Sequence, residues 1–182
     1  MRMNLKLLIV FAIIGLFINP IHAQKKCKYK FEQEDAFTGV ISKGTSTAIF
    51  PPSVSTNEHW YVGFNREGDN YTIVNDIQLS GEMGQYVNIG DSVMFKTEDG
   101  TIIICYAIEK TNPRPKATKK MNHSIFTTGY VSIYQVTEEQ VEKFADSPVS
   151  IIRLHIGNDI FEQTIKSKHS KDLLSSANCI LH

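Results

Sequence analysis

Through most of this chain apolar and polar residues alternate with a period of two, the pattern of half-buried β-strands. Cys27, Tyr29 and Phe31 alternate with Lys28, Lys30 and Glu32. "FTGVI" and "TSTAIF" predict two strands turning at Ser42-Lys43-Gly44. Pro51-Pro52 ends that unit, because proline cannot donate to a ladder. "HWYVGFN" puts Trp60, Val62 and Phe64 on one face, and "EGDN" supplies turn residues before "YTIVNDIQLS". The clearest hairpin is "DSVMFKTEDGTIIICYAIE", where Asp99-Gly100 offers the positive φ that a tight turn requires. Its second strand is apolar on both faces, Ile102, Ile104 and Tyr106 against Ile103, Cys105 and Ala107. That predicts a central strand covered on both sides. "SIFTTGYVSIYQV" and "VSIIRLHIG" add further strands.

Helical signals are fewer. Thr137 with Gln140 three positions on makes a capping box. Val141, Phe144 and Ala145 then form an apolar stripe, and the spacing predicts a helix from Glu138 to Asp146, stopped by Pro148. A second short helix is expected with Ser170 as its cap and Leu173, Leu174 and Ala177 inward. "NPRPKATKK" at residues 112–120 reads as a loop between strands, either solvated or a contact surface for an anionic polymer. "GEMGQ", with Gly81 and Gly84, reads as a turn. The fold class expected is α+β, mainly antiparallel β, a two-layer sheet with two short helices.

The first residues follow another pattern. Arg2 and Lys6 precede the uncharged run "LLIVFAIIGLF" at 7–17, Asn19-Pro20 break it, and Ala23 precedes Gln24. This is the layout of a signal peptide over residues 1–23. The run falls short of the ~20 residues that cross a bilayer; an uncleaved anchor is the alternative. Residues 24–182 would then form a single domain, periplasmic or extracellular. Two of the 19 basic residues and none of the 19 acidic ones lie in the leader, so the rest carries 17 against 19, net −2. Such a balance gives no general attraction to nucleic acid or anionic membrane.

Export changes how the cysteines read. Cys27 follows Lys25-Lys26 instead of a small residue, which argues against a lipid anchor. Cys105 sits among aliphatic neighbours as an inert thiol. No two cysteines have the short spacing of zinc ligands. A disulfide from Cys27 to Cys179 fits an oxidising compartment and would tie down both ends. Reduced or intermolecularly paired thiols are the rival reading of an odd count.

Catalytic fingerprints are missing: there is no G-x-S-x-G, H-E-x-x-H, Walker or Rossmann motif, so no cofactor is expected. His59, His123, His155 and His169 are scattered, without metal-ligand spacing. Weak binding candidates remain. Arg153 and His155 alternate with Ile152, Leu154 and Ile156, as the solvent side of a strand or as a shared anion-binding face. Trp60, Tyr61, Tyr71 and Tyr86 either pack the core or stack on sugar rings, and alternation sends Trp60 in and Tyr61 out. Glu32, Glu34, Asp35 and Thr38 gather at a strand end, where calcium is the sharper reading.

Three segments in order, "CKYKFEQEDAFTG", "GDSVMFKTEDGTIIICYAIE" and "YQVTEEQVEKFADSPVSIIRLHIG", precede a C-terminal cysteine. In them the chain resembles a group of small exported bacterial proteins with paired N- and C-terminal cysteines and no assigned activity. The resemblance implies a β-rich α+β domain and carries over no catalytic residue. The function expected is an exported, non-catalytic binding or interaction module whose partner is an envelope protein or glycan. The alternatives are an envelope- or carbohydrate-directed hydrolase with a dispersed site, and an inhibitor or immunity-type protein.

Overall fold

The computed structural model describes residues 27–51, 57–120 and 123–182. The leader, with His22, and Pro52 lie outside the described residues. The strands are β1 (Phe31–Glu34), β2 (Ile41–Gly44), β3 (Thr47–Phe50), β4 (His59–Glu67), β5 (Asn70–Ser80), β6 (Ser92–Thr97), β7 (Ile102–Ala107), β8 (Arg114–Lys120) and β9 (His123–Val136). Helix α1 (Glu138–Asp146), strands β10 (Val149–Ile156) and β11 (Asp159–Thr164), and helix α2 (Ser167–Leu181) complete the chain. The class is α+β, and the sheet is antiparallel throughout.

All the strands belong to one sheet, ordered β1-β2-β4-β5-β9-β7-β6-β10-β11, with β3 also on β4 and β8 also on β9. The sheet bends until its last strand approaches its early ones, so that Phe161 of β11 shares a cavity with Phe50, Trp60 and Ile77. Inside the bend lie Phe64, Ile73, Tyr134, Phe95, Ile152 and Leu154, fully buried with Phe144 of α1 and Leu173 of α2. The helices thus form the second layer against the concave side.

Several expectations hold residue by residue. Trp60, Val62 and Phe64 point inward. Gly68, at φ 57°, closes the β4–β5 turn. The capping box of α1 is complete: Thr137 Oγ1 accepts from the Gln140 amide, and the Gln140 side chain accepts from the Thr137 amide. At the β6–β7 turn Asp99 Oδ1 accepts from Thr97 Oγ1 at 2.6 Å and from the Thr101 amide at 2.9 Å. These bonds, the Thr97 hydroxyl first, draw the Asp99 pKa down to about 2. Because the folded value lies below the ordinary ~3.9, the carboxylate supports the turn above pH ~4 and loses that role as pH falls towards 2. A side-chain NMR titration should show an Asp99 midpoint near 2, with the Thr101 amide moving in step. Asp99→Asn should abolish that movement.

Other expectations are corrected. The first hairpin joins β1 to β2, and Ser42-Lys43-Gly44 lies within β2. Its turn is set upstream, where Asp35 Oδ1 accepts from the amides of Phe37 and Thr38, a local bond that favours turning over extension. The chain bends again at Thr45-Ser46, across Gly63; a Cβ there would sit 2.4 Å from Thr45 O, so glycine is required. Residues 112–120 are not a loop for most of their length. Arg114–Lys120 is an edge strand on β9, and Pro115 with its basic neighbours suits an edge that must not recruit another strand. Helix α2 is longer than expected, fifteen residues, and begins after Lys166. Ser170 is therefore no cap; it lies one turn inside, and its hydroxyl donates to Val149 O at 2.6 Å. Strand β11 was not signalled at all.

The two ends of the described chain meet. Cys27 and Cys179 form a disulfide with Cα atoms 5.5 Å apart. Tyr29 Oη donates to Cys179 O, and Arg66 Nη1 donates to Leu181 O at 3.0 Å. These carbonyls belong to the last turn of α2, which the helix cannot satisfy itself. Lys43 lies buried over the Tyr29 ring, and burial, reinforced by the charge of Arg66, lowers its pKa. Among the described residues no helix is long and apolar enough to cross a membrane.

Candidate functional site

Strand β7 sits near the middle of the sheet, and its inward residues Ile103, Cys105 and Ala107 are buried as alternation requires. Its outward residues are not. Ile102 is 60% exposed and Tyr106 57%, so the second cover expected from the two-sided apolar pattern is not supplied by the described chain. The physical reason is that both helices pack into the concave side.

The register extends this open face over four strands. Its middle row runs Ile104, Met94, Arg153, Glu162 across β7, β6, β10 and β11. Ile102, Lys96 and Ile151 flank it on one side. Tyr106, Ser92, His155 and Ile160 flank it on the other, and Ile160 is 62% exposed. A shallow groove of 270 Å³ lies between Met94, Ile102, Ile151 and Arg153. By strand and residue spacing the face covers roughly 300–400 Å², and six of its eleven residues are apolar while Lys96, Ser92, Arg153, His155 and Glu162 are polar or charged.

Arg153 and His155 therefore share an outward face, each with its own partner. Arg153 donates through Nε, at 2.8 Å, and Nη2 to Glu162 Oε2. His155 Nδ1 lies 3.2 Å from Ser92 Oγ. Because Glu162 neutralises the guanidinium, the two residues do not form a common cationic cradle. Trp60 and Tyr61 fall on opposite faces of β4. Trp60 is 4% exposed and its indole donates to Asn75 Oδ1 at 3.0 Å. Tyr61 is half-buried on the outer side, 5.3 Å from the His59 ring. The Arg153 pair and the Trp60 pair are not brought together, although Trp60 and Glu162 border one cavity.

Other chemistry is sparse. His59 Nε2 lies 3.5 Å from Asp76 Oδ1, with both side chains partly exposed, and His59 also borders the cavity shared by Trp60 and Glu162. Cys105 is buried, and burial pushes its pKa up to about 12, so little of it is the reactive thiolate. Asp35 spends an oxygen on its own turn, and among the described residues no three His, Cys, Asp or Glu side chains gather as metal ligands. A polar cavity of 340 Å³ beside the disulfide is bordered by Lys28, Thr47, Lys168, His169 and Asp172.

Sequence reading singled out Arg153 and His155 but not the apolar residues around them as a surface. The signal is present in "TIIICYAIE", where apolarity on two faces predicts cover on both sides without naming what supplies it. Comparison with family models, with curated proteins and with solved structures finds no match.

Proposed function

We propose that this chain is an exported, non-catalytic interaction module of the cell envelope that docks a protein partner on the outer face of β7, β6, β10 and β11. One observation carries the reading: Ile102, Tyr106 and Ile160 stand more than half exposed on one continuous sheet face. Isolated exposed apolar residues are ordinary, whereas several on one face, with half-buried Met94, Ile104 and Ile151 among them, favour an interaction surface. The face mixes aliphatic residues and one aromatic ring with Lys96 and the Arg153–Glu162 pair, which suits a protein surface better than the stacked platforms that sugars need. The signal-like leader and the disulfide support export, since such bonds persist outside the cytoplasm.

The test is a photo-crosslinking residue placed at Tyr106, with the same residue at exposed Glu142 on α1 as control. One discrete protein adduct is expected from position 106 in envelope preparations, none from 142, and its loss on Ile102→Lys. A glycan turned over by the purified protein, with no adduct at 106, would overturn the proposal in favour of a hydrolase.

A further inference from the structure

On the side away from buried Lys43 and Tyr71, strands β1, β2, β4 and β5 set polar side chains around one exposed ring. We infer that this surface binds a neutral sugar, with one pyranose ring against Phe31 and its hydroxyls among Asn65, Thr72, Asn70 and Glu67. Strand β9 lies between it and the face proposed for docking, and the inference does not rest on that reading.

The register builds the site. Phe31 pairs with Gly44, Gly44 with Asn65 and Asn65 with Thr72, so one row crosses four strands. Glu67 pairs with Ser42 and with Asn70 in the next row. Residues two apart on a strand share a face, so both rows point the same way. Gly44 leaves a gap in the first row, and the gap is used. A Cβ there would run into Phe31 Cε1 and Asn65 Oδ1. The ring and the amide therefore lean over the bare backbone from the strands on either side, and Phe31 stays 44% exposed. The rows enclose a depression of 270 Å³. A hole of about 150 Å³ accepts benzene, so a six-membered ring fits here with room for its hydroxyls.

The polar groups are not spent elsewhere. Among the described residues Ser42, Asn65, Glu67, Asn70 and Thr72 make no side-chain hydrogen bond or ion pair. Arg66 also borders the depression, but its Nε donates to Gly68 O and its Nη1 to Leu181 O. Two amides, two hydroxyls and one carboxylate are thus left around one ring. A sugar presents the complement, an apolar C–H face rimmed by hydroxyls that both donate and accept. Carboxylate and amide oxygens accept from those hydroxyls, amide N–H groups donate to them, and the ring covers the C–H face. Binding sites combine an apolar wall with a few orienting polar groups in this way. Unpaired Glu67 repels an acidic sugar, which selects for a neutral one. Around Tyr106 the setting differs, because Arg153 and Glu162 are spent on each other and Ser92 lies against His155.

The experiment titrates the methyl glycosides of glucose, galactose, mannose and N-acetylglucosamine into the isotope-labelled, disulfide-bonded protein, followed by NMR. At least one should shift the amides of Asn65, Glu67 and Thr72 saturably, and methyl glucuronide should compete poorly with it. Phe31→Ala should weaken that binding about tenfold, the scale of one lost aromatic contact. Gly44→Ala keeps the ring in the chain but displaces it, and should have a similar effect. Glu67→Gln preserves shape and one acceptor while removing the charge, and should weaken binding about fivefold. Glu67 is exposed, so this variant decides the matter even if the ring variants do not fold. Glu142→Gln on α1 should change nothing. The inference is overturned if no glycoside moves these amides, or if the shifts persist undiminished in both Phe31→Ala and Glu67→Gln. Either result leaves the adduct at position 106 intact. Loss of that adduct with sugar binding unchanged would sink only the docking reading.

Discussion

Breaking the Cys27–Cys179 bond lowers the unfolding free energy by about 3–5 kcal/mol. The two residues are 152 positions apart, so nearly the whole described chain becomes one loop. In the chain-entropy account a closed loop of this length stabilises by roughly 5 kcal/mol, and residual structure in the unfolded chain reduces that figure. Native contacts fall with it, because Tyr29 reaches the last turn of α2 from a segment the bond holds in place. For a domain of this size about 2–4 °C of Tm accompanies each kcal/mol, so reduction should shift the transition by roughly 10–15 °C. Urea unfolding with and without reductant measures the effect. The denaturant slope should rise, since the reduced chain exposes more surface when it unfolds. Cys27→Ser and Cys179→Ser should each cost what the double substitution costs, because either alone removes the bond. A shift below about 1 kcal/mol would refute the expectation.

What the sequence revealed, and what it hid, follows from what alternation measures. It reports which side chains avoid water, and so the inward residues of β4, Trp60, Val62 and Phe64, were legible one by one, and the β6–β7 hairpin was legible by its turn. Helix α1 was legible because its start is encoded by a local bond, Thr137 to Gln140. Strand β11 was not, because an edge strand is wet on one side and its "DIFEQT" has the polarity of a loop. Strand β8 was hidden for the related reason that edge protection uses proline and lysine, the usual marks of a loop. The same limit governs the candidate site. Two-sided apolarity in β7 says that both faces seek cover and cannot say which molecule provides it. Arg153 was visible on its face, yet its neutralising partner Glu162 lay on the one strand that left no signal. The solvent side of a strand and a shared anion-binding face therefore both stood open for Arg153, which the fold pairs with Glu162.

Phe144→Ala should cost about 3–5 kcal/mol, the range for truncating a fully buried phenylalanine. The ring sits on α1 between Phe64 of β4, at 5.1 Å, and Phe95 of β6, at 4.8 Å, with both contacts edge-on. Those strands are not neighbours; β5, β9 and β7 separate them in the sheet. The ring thus bridges two parts of the curved sheet that no hydrogen bond joins, and a helix of nine residues has little stability without such contacts. Phe144→Leu keeps most of the volume and should cost nearer about 1.5 kcal/mol. A cycle pairing Phe144→Leu with Phe95→Leu should show coupling of at least about 0.5 kcal/mol, because the rings touch. A loss below about 1.5 kcal/mol for the alanine variant would mean that the sheet holds its bend without this ring. The two large effects differ in origin, one acting mainly through the unfolded chain and one through the folded core, so they should add. Together they remove about 6–10 kcal/mol, comparable with the whole stability of a typical domain. The reduced Phe144→Ala protein should therefore show no cooperative transition at 25 °C, while the oxidised Phe144→Ala protein keeps one.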